Sequence, residues 1–183
     1  MDTVLDLDVK LLVYLNNLGN ERWDTFWIYI TKQEHWIPLF VVLLLFIFKI
    51  SGLKKGLYTL LAVAILIAVT NGLTDFVKNS VARLRPCNVA ELKGQIRHFT
   101  TIYNPQSYSF FSGHSSNSAA VTTFIVLLFR KQQKWIYLML LFPLVFAYSR
   151  IYLGFHFPLD IIAGYTVGII TGTLIYKGFK RII

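Results

Sequence analysis

The sequence predicts an all-α polytopic membrane bundle preceded by two amphipathic helices. Apolar residues make up 55% of the 183 residues and charged residues 15%, against about 45–50% and about 25% in a soluble domain. The apolar residues form long runs, and nine basic residues occupy the short connections and the tail between and after those runs. Within lipid, a helix pairs all of its own backbone polar groups, whereas an isolated strand does not. The single cysteine excludes a disulfide framework and a cysteine-cluster metal site.

The first 35 residues contain no run long enough to cross a membrane comfortably. Apolar and charged residues alternate along residues 5–16, and residues 23–30 are aromatic but include Asp24. We predict two amphipathic helices lying at the membrane surface and separated at Gly19. The alternative is a sixth spanning segment built from this region, since tilt and mismatch are tolerated. The acidic start predicts that no signal peptide is cleaved.

Five apolar runs follow, and each is predicted to span the membrane as a helix. They cover residues 36–50, 56–77, 113–129, 135–149 and 158–176. A span requires about 20 mostly apolar residues, with about 17 to 25 as the usual range. The chain therefore forms a single domain over residues 1–183, with interfacial helices in 1–35 and the transmembrane core in 36–183.

The basic residues between the runs predict the orientation of the bundle. Nine of them fall on one side if the helices alternate in direction: Lys49, Lys54, Lys55, Arg130, Lys131, Lys134, Lys177, Lys180 and Arg181. An excess of basic residues marks the cytoplasmic side, so we expect a cytoplasmic C-terminus. The net charge of +9 thus reflects topology, and no nucleic acid partner is expected. The N-terminal region and residues 78–112 and 150–157 lie on the outer side.

Three cations on that outer side predict an anion-binding site. Lys78, Arg85 and Arg150 each lie after the end of an apolar run. Their positive charges would repel one another unless an anion were bound between them. Arginine binds phosphate oxygens through its planar fork, and lysine acts as a point charge. Ser112 and Gly113 begin a helix, where free N–H groups and the helix dipole also favour an anion. We predict a phosphate site that uses no metal and no cofactor.

Two histidines and an aspartate add reactivity to this site. A neutral imidazole can attack phosphorus, and a histidine can exchange protons near neutral pH. Asp160 follows His156 by four residues, so its carboxylate can hold one ring proton and leave the other nitrogen free to attack. His114 is then available to protonate the leaving oxygen. The alternative is a non-catalytic lipid-phosphate binding or transport protein, which needs the cations but not the histidines.

Three ordered motifs resemble the signature of the type 2 phosphatidic acid phosphatase (PAP2) family. They are Lys78-x6-Arg85-Pro86, Ser112-Gly113-His114 and Ser149-Arg150-x5-His156-x3-Asp160. The departure is Phe111, where the family usually has proline. The resemblance implies a metal-independent phosphatase that acts on a lipid phosphate or diphosphate through a phosphohistidine. It makes His156 the nucleophile, Asp160 its orienting partner, His114 the general acid, and Lys78, Arg85, Ser112, Gly113 and Arg150 the phosphate ligands.

The expected substrate is undecaprenyl diphosphate, hydrolysed on the periplasmic or exterior face of a bacterial inner membrane. Phosphatidylglycerophosphate, phosphatidic acid and a lipid A phosphate are the alternatives. The expected partners are the bilayer and this lipid, and no obligate protein partner is evident. We interpret Arg83 and Arg97 as solvated loop residues, with a contact to a head group as the alternative. The long connection 79–111, which includes Tyr103, is a candidate lid or interface anchor.

Overall fold

The computed structural model describes residues 2–99 and 105–182, and within them the chain forms α-helices and short 3-10 helices but no β-strand. The all-α prediction is therefore confirmed for these residues. Tyr103 of the predicted lid lies outside the described residues. The α-helices are α1 (Asp2–Asn17), α2 (Glu21–Thr31), α3 (Ile37–Val81), α4 (Gly113–Phe129), α5 (Leu141–Tyr152) and α6 (Pro158–Phe179). The 3-10 helices are Gln33–Trp36, Pro86–Asn88, Ala90–Leu92 and Lys134–Leu140.

Helix α3 consists of two helices that fold back on each other at Gly52. This residue has φ 72° and ψ 174°, a backbone conformation that glycine adopts without steric cost. A Cβ placed on Gly56 would lie 2.5 Å from the ring of Phe48, so the two halves approach closely beside the turn. Leu43 and Leu66, from opposite halves, are buried in the same core cluster. The reversal separates the predicted runs 36–50 and 56–77.

Within residues 2–99 and 105–182, three stretches are long and apolar enough to cross a membrane: Gln33–Leu92, Lys134–Tyr152 and Pro158–Phe179. This finding does not confirm the predicted five or six spans, because it counts α3 as one stretch and omits α4. Helix α4 has 17 residues, which corresponds to about 26 Å, slightly less than the hydrocarbon core of about 30 Å. The difference therefore has two physical reasons: the turn at Gly52 lies within one continuous helical stretch, and α4 is short.

The N-terminal region forms two separate helices, as predicted, with Gly19 in the break between them. They contain 16 and 11 residues, so neither is long enough to span a bilayer. The face of α1 that packs on the protein carries Asp8, Leu12 and Asn16, all buried. The exposed residues of α1 include the apolar Val4, Leu5, Leu7 and Leu11 and the charged Asp6 and Lys10. The face of α1 that packs on the bundle is thus mixed: Leu12 joins a hydrophobic cluster, and Asp8 and Asn16 are buried beside it.

A stripe of small residues on α6 allows α4 and α6 to pack backbone to backbone. Cβ atoms added at Gly164, Gly168 and Gly172 would collide with the carbonyl oxygens of successive turns of α4. Small residues at four-residue spacing are a common means of close helix approach in membranes. The packing also places the two helix starts side by side, since the N–H of Ser112 donates to the carbonyl oxygen of Asp160 at 3.0 Å.

Aromatic contacts bring the basic connections to one end of the bundle. The ring centroid of Phe46 lies 5.1 Å from that of Phe129 and 4.8 Å from that of Trp135, and the centroids of Phe124 and Phe179 are 5.5 Å apart. These rings lie near the Gly52 turn, the 130–134 turn and the end of α6. The starts of α4 and α6 therefore lie at the opposite end.

Replacing Gly168 by leucine is expected to destabilise the bundle, because the new side chain must push α4 away from α6. Overpacking of this kind costs about 1–3 kcal/mol, which corresponds to a fall of about 2–12 °C in melting temperature for a chain of this size. Thermal unfolding of the purified protein in detergent measures the change. The matched control is Gly72→Leu in α3, where nothing lies within 4 Å of the added Cβ. An equal fall in both variants would contradict the packing account.

Candidate active site

A tight turn after α5 directs His156 into the protein. The carbonyl oxygen of Arg150 accepts from the N–H of Phe155 at 2.9 Å and from the N–H of His156 at 3.3 Å. Gly154, within this turn, has φ 70°, which a residue with a Cβ adopts only with strain. The side chain of His156 is consequently almost completely buried, with 1% exposed. The sequence between α5 and α6 therefore fixes an imidazole inside the bundle.

Two neighbours define the hydrogen position on the His156 ring. Nη1 of Arg85 lies 3.0 Å from Nε2, and Oδ2 of Asp160 lies 3.3 Å from Nδ1. A guanidinium group can only donate, so Nε2 is the acceptor and the ring hydrogen is on Nδ1. The carboxylate of Asp160 then accepts that hydrogen. This tautomer presents the lone pair of Nε2 toward the cation.

Asp160 is held in position by the start of its own helix and by an arginine. Its Oδ2 also accepts from the N–H of Phe157 at 2.9 Å, in the manner of an N-terminal helix cap. Its Oδ1 accepts from Nη1 of Arg83 at 2.8 Å. The side chain of Asp160 has no exposed surface. Both carboxylate oxygens are thus hydrogen-bonded, as a buried charge requires.

The two predicted arginine ligands are buried and fixed. Arg85 donates from Nε to the carbonyl oxygen of Ser107 at 2.7 Å and from Nη1 to that of Phe155 at 3.1 Å. Arg150 donates from Nη1 to Oγ1 of Thr31 at 2.7 Å, and its guanidinium lies 4.8 Å from the centroid of the Phe155 ring. Both arginines are 4% exposed. Each cation is therefore oriented before any anion binds.

The remaining predicted residues lie in the same region. Lys78, in the last turn of α3, is within electrostatic range of Arg85 and Arg150. His114, in the first turn of α4, is within electrostatic range of His156 and of all three cations. The structure thus brings the two histidines and the three cations to one end of the bundle, although they come from three motifs that are far apart in the chain.

Ser112 and Gly113 form the start of α4 beside this group. The hydroxyl of Ser112 accepts from the N–H of Ser115 at 3.3 Å, so it caps the helix. A Cβ on Gly113 would lie 3.2 Å from Cγ2 of Thr74, which makes a larger residue unfavourable at this point. At Gly113, the N-terminus of α4 thus lies against α3.

The surroundings of His156 favour its neutral form. Burial, followed by the charges of Arg85, Arg150 and Lys78, holds the pKa of His156 well below its ordinary value. Both causes disfavour the imidazolium ion, because burial removes its hydration and each cation repels it. The imidazole therefore keeps its Nε2 lone pair at neutral pH.

Arg83 and Arg97 are not solvated loop residues, and this interpretation was wrong. Arg83 forms ion pairs with Asp8 and Asp160, and Arg97 forms one with Asp24 at 2.7 Å. Two acidic residues on the N-terminal helices thus bind the outer connection. The signal that was missed in the sequence is the position of Asp8 and Asp24 on helices that lie against the bundle, because a buried acidic side chain requires a partner.

An apolar groove of about 580 Å³ begins beside His114. Both halves of α3 form one wall, and α4 and α5 form the other; its lining includes Phe40, Leu44, Val63, Val121, Ile125 and Phe142. Near His114, Nδ2 of Asn117 donates to Oδ1 of Asn71 at 2.7 Å. The groove therefore connects a histidine of the polar site with the lipid-facing surface of the bundle. Among the described residues, no group of three or more His, Cys, Asp or Glu side chains is arranged to hold a metal ion.

A family comparison matches the part of the chain that carries these residues. The PAP2 superfamily matches residues 56–183. The chain belongs to the PAP2 superfamily. All three predicted motifs of this PAP2 member lie within the matched region, whereas α1 and α2 lie outside it.

Known relatives of this PAP2 member are membrane phosphatases. A lipid A 4'-phosphatase of Bacteroides thetaiotaomicron is 30% identical over 172 residues, which cover 93% of this chain and 76% of the relative. An undecaprenyl-diphosphatase of Sulfolobus acidocaldarius is 33% identical over 86% of this chain and 64% of the relative. The crystal structure of a PAP2-type phosphatidylglycerolphosphate phosphatase of Bacillus subtilis matches with a TM-score of 0.75 and 24% identity, over 100% of this chain and 89% of that one.

Replacing Arg150 by glutamine is expected to raise the pKa of His156. Removal of a nearby cation makes the imidazolium less unfavourable, so the ring takes up its proton at higher pH. Side-chain NMR of histidine-labelled protein in detergent measures the titration midpoint, and a His156→Asn sample assigns the signal. Lys180→Gln, on the exposed tail, serves as the control. An unchanged midpoint in the Arg150 variant would contradict the electrostatic account.

Proposed function

We propose that this PAP2 member hydrolyses the terminal phosphate of a membrane lipid through a phosphohistidine on His156. In the first step the Nε2 lone pair forms a bond to phosphorus, and the bond from phosphorus to the lipid oxygen breaks. In the second step water attacks phosphorus, the P–N bond breaks and inorganic phosphate is released. The observation that carries the proposal is the pair of contacts on His156, which leave Nε2 as the acceptor and place the hydrogen on Nδ1 toward Asp160.

Three cations supply the charge that phosphoryl transfer requires. Negative charge develops on the phosphoryl oxygens in the transition state, and preorganised donors stabilise it most effectively in a buried site. Arg85 and Arg150 are held by protein contacts, and Lys78 is within electrostatic range of both. We therefore propose a reaction that does not depend on a metal ion.

His114 is proposed as the general acid, because it lies between the phosphate site and the groove. It lines the apolar groove and is within electrostatic range of His156. A lipid chain in the groove places its bridging oxygen on the His114 side of the phosphate. His114 then gives its proton to this oxygen in the first step and takes one from water in the second.

Undecaprenyl diphosphate is the first candidate substrate, supported by the undecaprenyl-diphosphatase among the relatives and compatible with the groove. A volume of about 580 Å³ is typical of a pocket for one drug-sized ligand, so it holds one chain segment rather than several acyl chains. Undecaprenyl diphosphate carries a single chain. The 4'-phosphate of lipid A is the second candidate, supported by the relative from Bacteroides thetaiotaomicron. Phosphatidylglycerophosphate and phosphatidic acid complete the set of lipids to be compared.

We propose that the phosphate site faces the outside of a bacterial inner membrane. The basic connections lie at the end of the bundle opposite the site, as the contacts between Phe46, Phe129 and Trp135 indicate. Basic connections favour the cytoplasmic side. The C-terminus, which follows α6 at that same end, is then cytoplasmic as well.

A non-catalytic lipid-phosphate binder is the competing function. Such a protein needs the three cations but has no need of an oriented imidazole. The buried Asp160 and its contact with Nδ1 of His156 therefore support the enzyme. Release of inorganic phosphate from the lipids named above separates the two functions, because a binder shows saturable binding without turnover.

Replacing His156 by asparagine is expected to abolish turnover, since the amide cannot form the covalent intermediate. Loss of a nucleophile reduces kcat by about 10⁴-fold or more. The assay measures phosphate release in detergent with EDTA present, and rapid quenching with labelled substrate measures the phosphoenzyme. The expected phosphoenzyme is stable to base and labile to acid, as a phosphohistidine is.

The matched control is His98→Asn, which should keep full activity because neither ring nitrogen of His98 has a hydrogen-bond partner among the described residues. Full activity in the His156 variant would overturn the assignment of the nucleophile. Dependence of the unmodified enzyme on Mg²⁺ would overturn the metal-independent mechanism.

Replacing Val121 by tryptophan is expected to raise KM for long-chain substrates. The new ring fills the groove and displaces part of the lipid chain, whose burial contributes about 1.5–3 kcal/mol per large apolar group. KM for undecaprenyl diphosphate should therefore rise by about 10-fold or more. The value of kcat/KM for p-nitrophenyl phosphate, which has no chain, should not change.

Leu174→Trp is the control, since Leu174 is 60% exposed on the lipid-facing side of α6. An equal rise in KM for both phosphates in the Val121 variant would contradict the groove assignment. The ratio of kcat/KM for undecaprenyl diphosphate and lipid A, measured on the unmodified enzyme, decides between the two candidate substrates.

A further inference from the structure

We propose that the N-terminal helix positions the active-site carboxylate, with Asp8 holding Arg83 and Arg83 holding Asp160. Asp8 and Arg83 are thus positioning residues that act through Asp160. The inference rests on the proposed function, in which Asp160 orients His156. It assigns a role in the reaction to α1, which lies outside the region matched by the family.

One guanidinium group joins the two carboxylates. Nη1 of Arg83 donates to Oδ1 of Asp160 at 2.8 Å, and Nη2 donates to Oδ2 of Asp8 at 2.6 Å. The side chains of both aspartates have no exposed surface, and that of Arg83 is 19% exposed. The guanidinium carbon also lies 3.8 Å from the ring centroid of Phe157. Arg83 is therefore fixed on three sides.

Asp8 makes a second contact with the helix that carries Asp160. Its Oδ1 accepts from the N–H of Leu159 at 2.8 Å, one of the amide groups that a helix start leaves without an internal partner. Asp8 is buried on α1, whereas Leu7 and Leu11 beside it are exposed. A buried carboxylate is retained only when it is paired, and Asp8 has a cation and a helix start as its partners.

The two carboxylate oxygens of Asp160 have different hydrogen-bond partners. Oδ1 binds Arg83, while Oδ2 accepts from the N–H of Phe157 and lies 3.3 Å from Nδ1 of His156. Rotation of the carboxylate would break the ion pair, so Arg83 opposes that rotation. The N–H of Phe157 remains as the second restraint. Loss of Arg83 should consequently loosen the orientation of His156 without removing any phosphate ligand.

The test measures kcat and the inhibition constant of inorganic phosphate for Arg83→Gln and Asp8→Asn in the full chain. Both variants should lower kcat by about 10–100-fold, the range found when the outer partner that orients a metal-bound histidine is lost. The phosphate inhibition constant should stay unchanged, because Lys78, Arg85 and Arg150 are intact. Arg83→Lys should restore kcat in part, since an ammonium group keeps the charge.

The matched controls are Arg97→Gln and Asp24→Asn. This pair also joins an N-terminal helix to the outer connection, with the two atoms 2.7 Å apart, but it does not contact Asp160. Asp6→Asn provides a further control, as Asp6 is exposed on α1. All three should keep the kcat of the unmodified enzyme. An equal loss of kcat in Arg97→Gln and Arg83→Gln would overturn the inference, because it would indicate a general effect of loosening the N-terminal helices.

A double-mutant cycle with Asp160→Asn tests whether Arg83 acts through Asp160. Arg83→Gln should lower kcat in the unmodified enzyme but should add no further loss in the Asp160→Asn background. A single-turnover assay with labelled lipid gives the sensitivity that the slow variants require. Additive losses would show a separate structural effect of Arg83 and would overturn the inference.

The cycle also separates this inference from the proposed function. If Asp160→Asn keeps full kcat, the proposed role of Asp160 fails and the inference fails with it. If Asp160→Asn is slow but Arg83→Gln and Asp8→Asn keep full kcat, only the inference fails. Melting temperatures of all variants, measured in the same detergent, identify any loss of kcat that comes from unfolding.

Discussion

The site depends on keeping one carboxylate charged where water does not reach it. The side chain of Asp160 has no exposed surface, and an isolated buried charge is unfavourable by several kcal/mol. The protein compensates with a backbone N–H, an imidazole and an arginine on the two oxygens. Because these partners come from the turn before α6 and from the outer connection, both segments must be in place before His156 is oriented.

The bundle meets this requirement through close packing at the starts of two helices. The glycine stripe of α6 lets α4 approach, so that Ser112 hydrogen-bonds to the backbone of Asp160. The same approach brings His114 into electrostatic range of His156. The apolar groove begins beside His114, next to the polar residues of the site. A single bound lipid can therefore place its phosphate at the three cations while its chain stays in the bilayer.

The three motifs could be predicted from local spacing and residue chemistry. Ion pairs between residues far apart in the sequence could not. His156 and Asp160 are four residues apart, and the cations interrupt apolar runs, so both stand out in the sequence. Arg83 pairs with Asp8, 75 residues away, and nothing in the local pattern indicates that contact. The alternation along α1 predicted an amphipathic helix but not that Asp8 and Asn16 are buried against the protein. The separate runs on either side of Gly52 were predictable, because glycine and lysines interrupt the apolar pattern there, whereas the number of spans is not confirmed.

A structure of the protein with bound vanadate tests the central claim most directly, because vanadate adopts the geometry of phosphorus during transfer. The account predicts vanadium bonded to Nε2 of His156, with its oxygens on Arg85, Arg150 and Lys78 and with Nδ1 still hydrogen-bonded to Asp160. Vanadate bound to the cations with Nε2 turned away from it, or vanadate bound elsewhere in the bundle, would contradict the account.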